Sequence, residues 1–348
     1  METVKSDMLQ FKKYTSIENT FDKDFVEKIF LEGYDKQEFV VQEKVHGSNI
    51  CFVTDGKTVG FGKRTGFVEA NEKFYDYEEL LERYTPRVIT LYSTIKENIP
   101  DLKSLTLFGE MFGGKYPHPD VKNSTKTMVI QKGVYYCPNH EFYAFDLYVS
   151  TEESGRYLSV DEANTFFEQG KFIYARTLFR GTLNECLKYP NTFQSRISEW
   201  LGLPPIEDNV CEGVVIRPVT PIYLCNGARV LLKNKNARFA EKKSVKKREP
   251  KLFVEPSYSE LLNNLLPITE QYITENRLNN VVSKIGQISV PKDIGKLIGL
   301  FSKDILDDFL KEHSGEYAAI EKSEQKILNR HINSMATSLI KEVYFRNS

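Results

Sequence analysis

Between residues 38 and 67, short apolar runs are broken by polar turn residues. EFVVQEK (38–44), NICFVT (49–54) and TVGFGKR (58–64) are rich in β-branched and aromatic residues, and Asp55-Gly56-Lys57 supplies turn chemistry between the last two. That pattern predicts strands and a hairpin. Similar runs recur at LTLFGE (105–110), FYAFDLYV (142–149), EGVVIRP (212–218) and ARVLLKNK (228–235), with helical or irregular stretches between them. The expected fold class is α+β, built around antiparallel sheet.

After about residue 255 the period changes. Leu278, Val281, Val282 and Ile285 fall at i, i+3, i+4 and i+7, the stripe of a helix. Leu328, Ile332, Met335, Leu339 and Val343 form a second stripe in a segment free of Pro and Gly. SVKKREPKLFVEP (244–256) has a charge run and two prolines, which is linker composition. The expected organisation is a larger domain over 1–244, a linker over 245–256 and a small helical domain over 257–348.

Composition narrows the function classes. With 41% hydrophobic and 27% charged residues, the chain has the profile of a soluble globular protein. Its polar start and the lack of any apolar run near 20 residues predict a soluble, intracellular protein with no membrane partner. Five cysteines without CxxC spacing and five scattered histidines without HExxH argue against zinc. A hard cation held partly by substrate oxygens, magnesium first, is the expected metal. A formal net charge of −1 means that nucleic acid would have to be held by local patches. Residues 233–251, with nine Lys or Arg against two Glu, are either such a patch or a solvated linker.

The segment with most chemical content is Glu43-Lys44-Val45-His46-Gly47-Ser48-Asn49, a lysine ending an apolar strand, followed by a glycine that permits close backbone approach. Alone it reads as an edge charge beside a packed or capping imidazole more often than as a catalyst. It is followed, in order, by GKRTG (62–66), FGEMFGG (108–114), FYAFD (142–146), EGVVIRP (212–218) and LLKNKNARFAEKK (231–243). In this order the chain resembles the covalent nucleotidyltransferases, polynucleotide ligases and RNA-capping enzymes, and most of all the RNA ligase 2 family. KVHG stands where DNA ligases and capping enzymes usually have K-x-D-G, and the tail reads helical where they usually carry an OB barrel. FGEMFGGKYPHP (108–119) is similar to RNA-editing ligases, and ENRLNNVVSKIG (275–286) and PKDIGK (291–296) to the tail of phage-type members.

The resemblance implies an antiparallel-sheet, ATP-grasp-like nucleotidyltransferase domain followed by an all-α C-terminal domain. It implies ATP-dependent joining of an RNA 3′-hydroxyl to a 5′-phosphate through lysyl-AMP and RNA-adenylate, with Mg2+ or Mn2+. Nicked duplex RNA acted on by a monomer is the expected substrate. Lys44 would be the nucleophile. Lys233 and Lys235, on one face of a strand, would hold the α-phosphate and disfavour the lysine's ammonium form. Glu110 would bind the ribose hydroxyls, Phe145 would stack on adenine and Glu212 would help place the metal. His46 and Asn49 would lie by the metal and the leaving pyrophosphate, with Glu43 and Val45 beside them in the nucleotide pocket. Lys63 and Arg64 would meet the ribose or the RNA end, and Arg277 and Asp293 would contact RNA from the tail, unless they form internal salt bridges. Gln42 departs from relatives with a basic residue there. A DNA ligase, a guanylyltransferase or an inactive RNA-binding relative remains an alternative at this point.

Overall fold

The computed structural model describes residues 9–70, 72–124, 127–239, 258–285 and 294–345. The elements run β1 (Glu18–Asn19), α1 (Lys23–Leu31), β2 (Phe39–Lys44), β3 (Ser48–Thr54), β4 (Val59–Lys63), β5 (Gly66–Phe67), α2 (Tyr77–Asn98), β6 (Ser104–Gly113), β7 (His140–Ser150), β8 (Gly155–Tyr157), α3 (Val160–Gln169), β9 (Ile173–Tyr174), β10 (Thr177–Gly181), α4 (Leu183–Leu187), α5 (Ile197–Trp200), β11 (Gly213–Pro218) and β12 (Leu232–Lys235), then α6 (Glu260–Gln271), α7 (Glu275–Ile285), α8 (Ile294–Ala319) and α9 (Lys322–Phe345). The fold is α+β with largely antiparallel sheets and a helical C-terminal region. The chain forms two compact units: Met1–Val26 with Asp35–Ile222 and Arg229–Leu252, and Glu27–Tyr34 with Tyr223–Ala228 and Phe253–Ser348. The expected linker 245–256 lies outside the described residues. Among those described, no helix is long and apolar enough to cross a membrane.

The first unit holds two sheets. One has the order β1-β12-β11-β2-β10; the other runs β5-β4-β3-β6-β7-β8, with β9 added to β7. Alternation of side chains gives the second sheet two apolar faces. Ile50, Phe52, Leu105, Leu107, Phe142 and Leu147 face a core shared with Leu80, Tyr84 and Val88 of α2 and Phe167 of α3. Cys51, Val53 and Phe108 face the other way, toward Leu9, Tyr14 and Leu231. Burial on both faces explains why β3 and β6 read as almost continuous apolar runs.

The two sheets are tied by a buried charge cluster. Asp146 of β7, fully buried, accepts from Arg217 of β11 at 3.0 Å, from Arg229 at 2.7 Å and from the Tyr14 hydroxyl at 2.9 Å. Arg229 also lies 3.7 Å over the Tyr157 ring. Burial works against the Asp146 charge, but the two guanidiniums and their hydrogen bonds outweigh it and hold the carboxyl below its ordinary range. Its position depends on a β-bulge. Phe108 pairs with Asp146 and Gly109 with Ala144, so Phe145 is the extra residue. The bulge puts the consecutive residues Phe145 and Asp146 on the same side of the sheet, which strict alternation forbids.

In the second unit, Leu262, Leu265, Leu278, Leu297, Phe301, Ile305, Phe309, Leu328, Ile332 and Ile340 form the core of α6–α9. Breaking the buried cluster of the first unit by Asp146→Ala would leave two buried arginines without their carboxylate. A loss of about 3–5 kcal/mol is expected, read as the shift in urea midpoint; a loss below about 1 kcal/mol would show that water or rearrangement satisfies both arginines.

Candidate active site

The chain passes from one sheet to the other through Val45-His46-Gly47, between the end of β2 and the start of β3. Lys44 therefore stands where the sheets part. Across the first sheet, Lys44 pairs with Gly213 and Gly213 with Lys235, while Gln42 pairs with Val215 and Val215 with Lys233. Cross-strand partners share a face, so both lysines of β12 lie on the side of Lys44. Gly213 is required in this row: its φ is +147°, and a Cβ there would lie 2.2 Å from Asn234 O.

A cleft of about 510 Å³, partly open to solvent, is lined by Tyr14, Gln42, Lys44, Asn49, Glu110 and Phe145 among others. At its edge the Glu212 carboxylate, 1% exposed, accepts from Lys44 Nζ at 2.7 Å on one oxygen and lies 3.1 Å from Lys235 Nζ on the other. His46 Nδ1 is 3.7 Å away. Burial opposes ionisation, but His46, Lys44 and Lys235 together bring the Glu212 carboxyl down to about 2. The residue facing Lys44 is thus a carboxylate, which the sequence reading did not anticipate there, and the two lysines of β12 share its face. Lys233 is half-buried and, among the described residues, has no side-chain partner.

Glu110 of β6 pairs with Asn49 of β3, which brings both into the cleft. Burial raises the Glu110 carboxyl to about 7; Lys44, the Gly47 N–H and Arg64 pull it down, and the Glu212 charge pushes it up. Gly47 fits only as glycine, since a Cβ would meet Met111 O at 2.2 Å and Glu110 Cγ at 2.9 Å. Phe145 lines the cleft with its ring 5.0 Å from that of Tyr14, held by Arg217 donating to its carbonyl at 2.9 Å. Arg64 donates to Tyr14 O at 3.0 Å, and Lys63 is paired with Glu72.

Val45 borders the cleft, and so does Glu43, but the Glu43 carboxylate is taken by Ser195 Oγ at 2.6 Å and the Arg196 N–H at 3.0 Å. Arg277 belongs to the helical unit, where it pairs with Asp304 at 2.9 Å and Asp308 at 2.6 Å. Asp293 and most of the basic stretch after Phe239 lie outside the described residues. Lys44, Asn49, Glu110 and Phe145 thus line one cleft, and Glu212, with His46 and Lys235 about it, joins it through Lys44. The structure adds Tyr14, Ile17, Tyr143 and Arg217, which the sequence reading did not single out. Arg217 could have been found, because alternation along EGVVIRP puts it on the face of Gly213 and Val215.

A strand-end lysine, a buried carboxylate between two lysines and an aromatic-walled cleft form a site suited to nucleotidyl transfer. The RNA ligase family profile matches residues 37–235, and that of the T4 RNA ligase 2 C-terminal domain matches 256–338. The chain belongs to the RNA ligase family, in the branch with the RNA ligase 2 tail. It is 31% identical to RNA-editing ligase 1, mitochondrial, of Trypanosoma brucei brucei, covering 82% of this chain and 73% of that one. It is 26% identical to that organism's RNA-editing ligase 2, mitochondrial, over 92% and 88%. Among solved structures it is similar to a Naegleria gruberi RNA ligase variant with ATP and Mn, at 15% identity and a TM-score of 0.46, covering 68% of this chain and 60% of that chain.

Burial pushes the Glu43 carboxyl up to about 7 from an ordinary 4.5, against the Ser195 and Arg196 hydrogen bonds. The native state then holds this proton to higher pH than the unfolded chain. Its stabilisation is complete below about pH 4.5 and lost as pH rises through about 7. Relative to Glu43→Gln, wild-type stability should fall by about 3 kcal/mol across that window. Urea midpoints of both proteins at several pH values check this; a constant difference would show that Glu43 is ionised in the fold throughout.

Proposed function

We propose that the chain seals RNA ends in three displacements carried by Lys44: attack on the ATP α-phosphate with loss of pyrophosphate, transfer of AMP to the RNA 5′-phosphate, and attack of the 3′-hydroxyl with release of AMP. The observation that carries this reading is the Glu212 carboxylate held between Lys44 and Lys235 at the point where the two sheets part. In that pairing Lys44 Nζ has no free lone pair. To react, it must leave Glu212 and lose a proton. That proton passes to the nucleotide or solvent.

The other side chains position the nucleotide. Lys235 and Lys233, on the face of Lys44, would meet phosphate oxygens and stabilise charge as pyrophosphate leaves. Glu110, near 7, can accept from or donate to ribose hydroxyls, and the Phe145 ring offers a face to a purine. Among the described residues no group of three or more metal-ligating side chains stands together. Glu212 is the ionised oxygen donor at the site, and a magnesium or manganese ion would fit there with the remaining oxygens drawn from substrate phosphates. Such an ion would neutralise phosphate charge. We read the setting as intracellular, the acting form as a monomer, and the substrate as a nick in duplex RNA recognised by A-form shape and 2′-hydroxyls.

Incubating the protein with ATP and Mg2+ without RNA and weighing it intact tests the reading. One AMP should be gained, reversed by pyrophosphate, and absent in Lys44→Ala. A folded wild-type protein that gains nothing overturns the proposal. Sealing of an all-DNA nick at the rate of an RNA nick would overturn the substrate assignment alone.

A further inference from the structure

The backbone at His46 and Gly47 is held at three atoms by three different residues. The His46 N–H donates to the Tyr136 hydroxyl at 2.9 Å. The Gly47 N–H donates to the Glu110 carboxylate, and Gly47 O accepts from Gln131 Nε2 at 3.4 Å. Tyr136 and Gln131 both come from the connection between β6 and β7, which therefore braces the turn that ends in β3. The Tyr136 hydroxyl is itself fixed by packing. Tyr136 is 2% exposed, its ring meets Phe112 edge-on at 5.2 Å, and it shares a core with Val45, Val134 and Cys137. Burial and the nearby Glu43 and Glu212 charges raise its hydroxyl well above the ordinary range, so it stays protonated.

The imidazole of His46 is constrained separately. Phe239 lies 5.1 Å from it at 68°, edge-on. Phe239 is placed by a single 3-10 turn, Ala237–Phe239, that follows β12. Its N–H donates to Asn236 O at 2.9 Å, while the Asn236 N–H donates to Glu212 O at 2.8 Å. The neighbouring Arg238 is clasped by Asp208 at 3.0 and 2.9 Å. Gly133, at φ +103°, passes under the Phe239 ring. One short turn therefore links the backbone of Glu212 to the ring that packs on His46.

We propose that Tyr136 and Phe239 are positioning residues for His46, the first through its peptide N–H and the second through its ring, and that together they set the imidazole against Glu212 for lysine adenylylation. The inference rests on the lysyl-AMP reading above. Neither residue is among those lining the cleft. Their effect is on where His46 stands, so they influence the rate at saturating ATP rather than nucleotide affinity.

The experiment is single-turnover formation of lysyl-AMP by Tyr136→Phe and Phe239→Leu, each alone and combined with His46→Ala. Each single variant should lose about 10- to 100-fold in rate at saturating ATP, with KM for ATP within about twofold of wild type. On the His46→Ala background either change should cost less than about twofold, because residues that act through one another are not additive. Rates within about twofold of wild type, a change confined to KM, or losses that multiply fully with His46→Ala would each overturn the proposal. If Tyr136→Phe does not fold, as read by thermal melting, the half-exposed Phe239→Leu decides by the same criteria. A wild-type protein that forms no lysyl-AMP defeats the underlying reading, whereas an active wild type with unaffected variants defeats only the positioning role.

Discussion

The cleft depends on one buried interaction, the Asp146 carboxylate between Arg217 and Arg229. Asp146 belongs to the second sheet and Arg217 to the first, so this contact sets how far apart the two sheets stand where they do not hydrogen-bond. Burying such charges is expensive, and a hydrophobic trio of similar volume could hold the sheets as firmly. The charged solution adds geometry. Arg217 reaches Asp146 with one nitrogen and the Phe145 carbonyl with another, so the tie between the sheets also orients the cleft's aromatic wall. Without the bulge at Phe145, the aromatic ring and the carboxylate would fall on opposite faces and the two roles would separate.

The second constraint is the three-residue passage from β2 to β3. A chain that changes sheets within three residues leaves several peptide groups outside any ladder, and each needs a partner. Tyr136, Glu110 and Gln131 supply them. Gly47 is the point of closest approach, where the space a Cβ would need is filled by the backbone of Met111. Backbone satisfaction and site assembly are therefore one requirement here. The residues that close the passage are also those that fix Lys44, His46 and Glu110 relative to one another.

Much of the fold was legible because its strands follow local rules. β2, β3, β4, β6, β7 and β11 fall where short apolar runs and turn chemistry put them, and the stripes at 278–285 and 328–343 fall within α7 and α9. β12 is shorter than the apolar run 228–235, since Val230 N donates to Ile222 O outside the sheet and ladder pairing begins at Leu232. The 22-residue α2 was not legible, because Pro86 interrupts it and RVITLYSTI is rich in β-branched residues. Its Thr and Ser hydroxyls instead bond back to carbonyls four residues earlier. In the site, Lys44, Glu110, Glu212 and Lys235 were legible from short motifs. Tyr14, Asp146, Arg229, Ser195 and Tyr136 were not, because what brings them in is packing between segments up to 152 residues apart. The neighbours of Arg277, Asp304 and Asp308, sit one helical turn apart on α8, a spacing that the sequence shows but whose partner it does not.

The geometry around Glu212 also bears on order of events. Lys44 is already paired with the Glu212 carboxylate at 2.7 Å, and the same carboxylate faces Lys235, which on the proposed mechanism meets the phosphates. A negatively charged nucleotide entering this face competes with Glu212 for both lysines and is repelled by Glu212 itself. The competition draws Lys235 toward phosphate and weakens the hold on Lys44, and the repulsion by Glu212 works against it. On the proposed mechanism, lysine activation is in this way coupled to the arrival of the nucleotide, and the cost of breaking the ion pair falls at the moment when phosphate contacts can offset it. His46, 3.7 Å from the same carboxylate, is the neighbour left to accompany Glu212 once the lysines move away. This gives its fixed position a physical purpose beyond packing.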